Sequence, residues 1–150
     1  MQNFIIRNEV EPDYFTVENL TREAFWNVYR PGCDEHLVVH NLRALPCYLP
    51  ALDFVAERDG ELIGHILYSR SYVTLPDGSR RVFLAFGPLS VRPDVQKTGI
   101  GSALVWHSLA RAAELGDTAV FITGNHDYYS RFGFETAADY GIRLEGHAGG

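Results

Sequence analysis

Apolar residues recur at helical spacing early in the chain and alternate in its middle. Phe4-Ile5-Ile6-Arg7 is a short β-rich run and predicts a strand. From Asp13 to Tyr29 the spacing predicts a helix, with Phe15, Leu20, Ala24, Phe25 and Val28 approximating one face, and Pro31-Gly32 stops it. A second helix is predicted over Glu35–Ala44. Leu37, Val38, Asn41, Leu42 and Leu45 fall on neighbouring positions, and Pro46 ends the pattern. The pattern is weakest from Tyr29 to Pro50.

Beyond Pro50 the period becomes two. Asp53–Glu57 predicts a strand, Arg58-Asp59-Gly60-Glu61 an Asp-Gly hairpin turn, and Leu62–Leu75 a long second strand. Pro76-Asp77-Gly78-Ser79 is another turn, and Arg81–Val91 a third strand, so an antiparallel meander is expected. A loop then leads into a helix from about Gly99 to Leu115, with Gly116 as its C-cap. Thr118–Thr123 predicts a buried strand, followed by a short helix over about Asp127–Phe132. The order is β-α-α-β-β-β-α-β-α-(β). The strand-helix-strand unit at Arg81–Thr123 makes its two strands parallel neighbours through a right-handed crossover. The expected class is α+β, with a mixed, mostly antiparallel sheet flanked by helices. No repeat or linker interrupts residues 1–150, which read as one domain.

Composition narrows the partners. A hydrophobic fraction of 46% suits a filled globular core. The net charge of -6 argues against a nucleic-acid backbone as main partner, because such sites need clustered Lys and Arg. It mildly favours cationic partners within the screening length. No run is long and apolar enough to span a bilayer, and MQNFIIRNEV lacks the layout of a signal peptide. Cys33 and Cys47 form neither a disulfide framework nor a metal-ligand spacing. The expectation is a cytoplasmic protein without a metal, binding neither nucleic acid nor membrane.

The candidate chemistry lies in Val91-Arg92-Pro93-Asp94-Val95-Gln96-Lys97-Thr98-Gly99-Ile100-Gly101-Ser102. Gly99 and Gly101 fall where a strand-to-helix loop becomes a first helical turn. The first amides of a helix lack internal partners and carry the positive end of its dipole. Without Cβ atoms, the glycines let an oxygen-rich ligand approach those amides, and Gln96, Lys97, Thr98 and Ser102 can add donors. The spacing is not that of a Walker loop, which needs Gly-x-x-x-x-Gly-Lys-Ser/Thr. Nor is it a dinucleotide fingerprint: position 104 is Leu, and an antiparallel meander precedes the loop. What is left is Gln-x-x-Gly-x-Gly after a strand, or a glycine-rich turn that binds nothing.

Gln96-Lys97-Thr98-Gly99-Ile100-Gly101 resembles the pyrophosphate-binding motif of the GNAT superfamily of acetyl-CoA-dependent N-acetyltransferases. Downstream, Tyr129-Ser130-Arg131-Phe132-Gly133-Phe134 is similar to that family's Tyr-x-x-x-Gly-Phe. Together with Gly87-Pro88-Leu89-Ser90-Val91-Arg92-Pro93, these residues look like the YhbS-like bacterial branch. The resemblance covers most of the chain in element order and implies the acyl-CoA N-acyltransferase fold, with acetyl-CoA as co-substrate and a primary amine as acceptor. It implies that the strand ending at Val91 and the strand Thr118–Thr123 splay apart. The pantetheine arm would then bond to the backbone of Leu89, Ser90 and Val91, and the diphosphate would sit on residues 96–102, Ile100 included. Pro88, lacking an N–H, gives a physical reason for such an opening.

The resemblance also places Tyr129 near the sulfur as general acid. A phenol with a pKa of about 10 stays protonated at neutral pH and can donate to a thiolate. Tyr128 is the alternative, turned away by about 100° on a helix. Asn125 and His126 follow the strand and can contact the pantetheine arm or the thiol region; a plain turn residue is the alternative for Asn125. The base that deprotonates the amine stays open among Glu57, His65, Glu35, His36 and His40, or a water chain to one of them. Family members continue past Gly-Phe with two more strand segments. Here Glu135–Glu145 can supply one, which leaves an edge that a second subunit would cover. Two rivals stand beside the enzyme: a noncatalytic acyl-CoA sensor, and a protein binding another phosphate or nucleotide ligand.

Overall fold

The computed structural model describes residues 3–28, 31–116 and 120–121. The predicted helix Asp127–Phe132, the segment Glu135–Glu145, and all but Val120–Phe121 of the predicted last strand lie outside the described residues.

The strands are β1 (Ile5–Asn8), β2 (Tyr48–Arg58), β3 (Glu61–Thr74), β4 (Arg80–Val91) and β5 (Val120–Phe121); the helices are α1 (Tyr14–Phe25), α2 (Glu35–Leu42) and α3 (Ile100–Glu114). They form one sheet in the order β1-β2-β3-β4-β5. The first three pairings are antiparallel. β4 and β5 are parallel, with Leu84 opposite Val120 and Ala85 opposite Phe121, as the strand-helix-strand unit required.

Three element boundaries differ from expectation by more than a single residue. α1 stops at Phe25 rather than Tyr29, because Asn27 adopts a left-handed φ of 59° and its side chain accepts the Gly32 N–H at 2.6 Å. α2 ends at Leu42, two residues early. β2 begins at Tyr48 instead of Asp53. Its pairing with β3 is irregular between Tyr48 and Asp53, and that irregularity accommodates Pro50, which has no N–H for a ladder.

α3 covers one face of the sheet. Ile100, Leu104, Val105 and Ala112 pack there with Leu52, Phe54, Ala56, Ile63, Ile66, Tyr68 and Leu84. Each fully buried Leu or Ile of this set contributes about 1.5–3 kcal/mol. Gly64 permits the close approach: a Cβ on it would lie 2.9 Å from Leu104 and 3.1 Å from Ile100. α1 and α2 cover the other face, where Val17 and Val39 meet Val55 and Leu67. The buried positions of α1 are Val17, Leu20 and Thr21, and Phe15 is 78% exposed. In α2 the buried residue is Val39, while Leu37 and Val38 point outward. Both helices therefore sit rotated from the expected faces.

One irregularity lies in β4. Between Ile66 and Tyr68 on β3, the partner on β4 moves from Leu89 to Phe86. β4 thus carries an extra residue at Gly87-Pro88, a bulge that bends the strand. Among the described residues no helix is long and apolar enough to cross a membrane.

Candidate active site

The loop after β4 is built by local bonds. The Arg92 N–H returns to the Ile63 carbonyl at 2.9 Å, and Pro93–Val95 form a 3-10 turn. The Gln96 side chain donates to the Val91 carbonyl at 3.0 Å, and the Thr98 hydroxyl to the Val95 carbonyl at 2.5 Å. Both side chains therefore shape the loop before any ligand arrives. Lys97 and Gly99 are left-handed, with φ of 64° and 94°. Gly99 is the N-cap of α3, and no side chain caps the helix. Open space surrounds the position its Cβ would take. The conformation, not crowding, requires glycine here.

The first α3 amide with a bond to the loop is that of Ala103, to the Gly99 carbonyl at 3.0 Å. The amides of Ile100, Gly101 and Ser102 precede it, at the positive end of a 15-residue helix. Gln96, Lys97, Thr98 and Gly99 are exposed, and Gly101 and Ser102 are half-buried. The Ile100 side chain is 1% exposed and anchors the turn in the core. The loop thus presents backbone donors, a lysine and a hydroxyl on a rigid base, which is chemistry suited to a phosphate group.

Along β4, Leu89 and Val91 pack their side chains against the α3-side core. Ser90 points the other way, fully buried, with its hydroxyl 3.2 Å from that of Thr21 on α1. All three side chains are committed to the fold, so these positions can serve a ligand only through their backbone. Tyr129, Tyr128, Asn125 and His126 lie outside the described residues.

The candidate bases are dispersed. Glu57 is paired with Arg7 at 2.9 Å. Glu35 opens α2, and His36 lies 3.7 Å from the Cys33 sulfur. His40, largely exposed, lies 3.1 Å from Glu18. His65 is completely buried, with Nε2 2.8 Å from Asp53 Oδ1.

That last contact opens onto a cluster the sequence pattern did not reveal. Asp53 also accepts the Tyr48 hydroxyl at 2.5 Å. Glu9, on the segment leaving β1, is carried over Asp53 because its N–H bonds the Asp53 carbonyl at 3.0 Å. Arg43, just past α2, forks onto Glu9 at 3.0 and 2.8 Å, reaches Glu18 at 2.6 Å and stacks on Tyr14. The Glu9, Asp53 and His65 side chains offer atoms all within 4.8 Å of one another. A cation placed among them would have to displace the Arg43, Tyr48 and His65 donors. Burial pushes the Glu9 carboxyl up, and its hydrogen bond to Asp53 pushes the same way, against Arg43. Burial would raise Asp53 too, but bonds from His65, Glu9 and Tyr48 hold it down. Of the two carboxyls, Glu9 is thus the more readily protonated and Asp53 the one held as the carboxylate. The sequence pattern starts a strand at Asp53. Seen inside β2, an Asp on an inward-facing position would have been a signal of this cluster.

Comparison with known proteins bears on the site. Residues 15–134 match the acetyltransferase (GNAT) family. The uncharacterized N-acetyltransferase YhbS of Escherichia coli K12 is 30% identical over 139 residues, 93% of this chain and 78% of that protein. YjhQ of the same strain, also an uncharacterized N-acetyltransferase, is 34% identical over 89 residues, 59% of this chain and 49% of YjhQ, so this chain matches about half of that relative's length. Among solved structures, a GNAT family acetyltransferase from Brucella melitensis in complex with acetyl-CoA superposes with a TM-score of 0.81 at 31% identity, covering 91% of this chain and 86% of that one. Escherichia coli YhbS in complex with CoA gives 0.82 at 29% identity, covering 97% and 77%. With the family match spanning residues 15–134 and a 30% identical relative aligned over 93% of this chain, this protein belongs to the GNAT acetyltransferase family.

Proposed function

We propose that this protein transfers an acetyl group directly from acetyl-CoA to a primary amine of a small molecule or a protein. The observation that carries the reading is the mouth of α3: the amides of Ile100–Ser102, which no side chain caps among the described residues, beside left-handed Lys97 and Gly99. The diphosphate of CoA is bound there, and the backbone of Leu89, Ser90 and Val91 takes the pantetheine arm past the Gly87-Pro88 bulge. Similar proteins solved with acetyl-CoA and with CoA support this reading.

The chemistry requires a neutral amine, a donor for the developing oxyanion and a proton for the leaving thiolate. A β4 backbone N–H at the bulge serves the oxyanion. From the sequence motif, Tyr129 is assigned as the general acid and Asn125 as a contact for the pantetheine arm. The test is thiol release from acetyl-CoA across spermidine, a lysyl peptide and an amino sugar, with Tyr129→Phe beside the wild type. Amine-dependent release is expected, and Tyr129→Phe should lower kcat by about 10²-fold or more with little change in KM for acetyl-CoA. Tight acetyl-CoA binding without transfer to any amine would instead favour the sensor, and full turnover by the variant would remove Tyr129 from its role.

A further inference from the structure

The amine must lose a proton before it can attack, and the buried cluster behind β4 is placed to take it. We propose that His65 is the proton acceptor, reached through water at Nδ1, with Asp53 and Glu9 as the positioning residues that hold it ready. This rests on the acetyltransferase reading above.

The imidazole is oriented from one side. Nε2 lies 2.8 Å from Asp53 Oδ1. A carboxylate there accepts a hydrogen, so the neutral ring carries its proton on Nε2 and its lone pair on Nδ1. Nδ1 is buried and has no hydrogen-bond partner among the described residues. Buried polar atoms are nearly always satisfied by protein, water or ligand, and an open lone pair on an otherwise braced ring is what a base presents. A buried ring whose role was only structural would be expected to use both nitrogens.

Its position suits the reaction. His65 is the cross-strand partner of Ser90, so the two backbones are about 5 Å apart. Ser90 belongs to the stretch of β4 that takes the pantetheine arm, just past the bulge. The His65 side chain lies on the face covered by α1 and α2, with Asp53 and Val55, while α3 and its phosphate-binding mouth lie on the other. Amine and cofactor would therefore reach the thioester from opposite faces of the sheet.

Charged groups from every neighbouring element set the balance. Asp53 and Tyr48 come from β2, Glu9 from the segment after β1, Arg43 from the end of α2, and Glu18 from α1. Arg43 is engaged by Glu9 and Glu18, and Asp53 is left to stabilise the imidazolium formed when His65 accepts a proton, as the carboxylate does behind a catalytic histidine. In the reaction the ammonium gives one proton through water to Nδ1 and becomes the nucleophile. The C–N bond forms and the C–S bond breaks. The thiolate takes a proton from Tyr129, the product nitrogen loses its second proton, and Tyr129 and His65 are reset by exchange with solvent. The net change is one amide, one thiol and one proton released.

The experiment follows kcat/KM against pH for the wild type, His65→Gln and Asp53→Asn, using whichever amine of the panel turns over. Acetyl-CoA affinity is measured in parallel by calorimetry. The wild type is expected to lose activity on an acid limb. His65→Gln should lose about 10²-fold in kcat and the limb itself, and Asp53→Asn should displace the limb, both with acetyl-CoA affinity within about threefold of wild type. Lower rates with the wild-type limb unmoved in both variants would make the cluster structural and overturn the proposal while leaving the acetyltransferase intact. Transfer by the wild type to none of the amines removes the enzyme reading, and this proposal with it. Should the variants not fold, 15N spectra of the wild-type histidines decide: the neutral His65 ring is expected protonated at Nε2, and a ring protonated at Nδ1 instead overturns the assignment.

Discussion

Burial alone would raise the Asp53 carboxyl, yet hydrogen bonds from His65, Glu9 and Tyr48 hold it below its ordinary value of 3.8. A carboxyl depressed in the folded state contributes stability that is fully present above its ordinary value and lost as pH falls through the folded one. Glu9 has the opposite sign: it is raised, so its contribution is present below its ordinary 4.5 and lost as pH climbs through the folded value. Denaturant unfolding between pH 7 and 3 should show stability falling at the acid end. Asp53→Asn should cost about 3 kcal/mol at pH 7, because the amide oxygen can accept from only one of His65 and Tyr48 while its NH2 faces the other donor, and it should shrink that acid slope. Asp13, held down by Arg7, keeps part of the slope in either protein. A variant with the full wild-type slope would refute this account of Asp53. At this scale the sequence marked Gly99 correctly, since a φ of 94° needs glycine. It could not mark Glu9 or Tyr48, which matter only because the segment after β1 and a bulged β2 bring them to Asp53.

α3 is the element on which the site depends, and its approach to the sheet depends on Gly64. A side chain there would meet Leu104 at 2.9 Å, Ile100 at 3.1 Å and the Ser90 carbonyl at 3.3 Å. Gly64→Val should push the first turn of α3 off β3, destabilising the fold by about 1–3 kcal/mol and weakening acetyl-CoA severalfold. Destabilisation with unchanged affinity, measured by denaturation and calorimetry, would mean that the first turn of α3 is not the cradle. The meander and α3 were readable because period-two strands, Asp-Gly turns and a glycine pair are local signals. The faces of α1 and α2 were not. Val17 and Val39 are buried, while Phe15, Leu37 and Val38 face outward. Apolar residues surround both helices enough that only contact with the sheet selects a face.

Across the whole molecule, α1 and α2 lie on one face of the sheet and α3 on the other, with the extended strand β4 between. If the cofactor lies along that strand, binding joins the two halves and raises global stability by mass action. Acetyl-CoA or CoA at about 100 times its dissociation constant should add about 2.7 kcal/mol to unfolding. A clear rise in Tm is expected with either, and none with ATP or NAD at the same concentration. An equal rise with ATP would favour the rival that binds other nucleotides.

The sequence by itself determined the β2-β3-β4 meander, the parallel β4–β5 pair and the glycine turn at the head of α3. These follow from signals within a few residues and from a handedness rule that needs no partner. Tertiary structure alone decided which helix faces are buried and where the Gly87-Pro88 bulge falls against β3. It also assembled Glu9, Arg43, Asp53 and His65 into one buried cluster. Their ionisation depends on distance and burial, and neither quantity exists until strands from separate parts of the chain lie side by side.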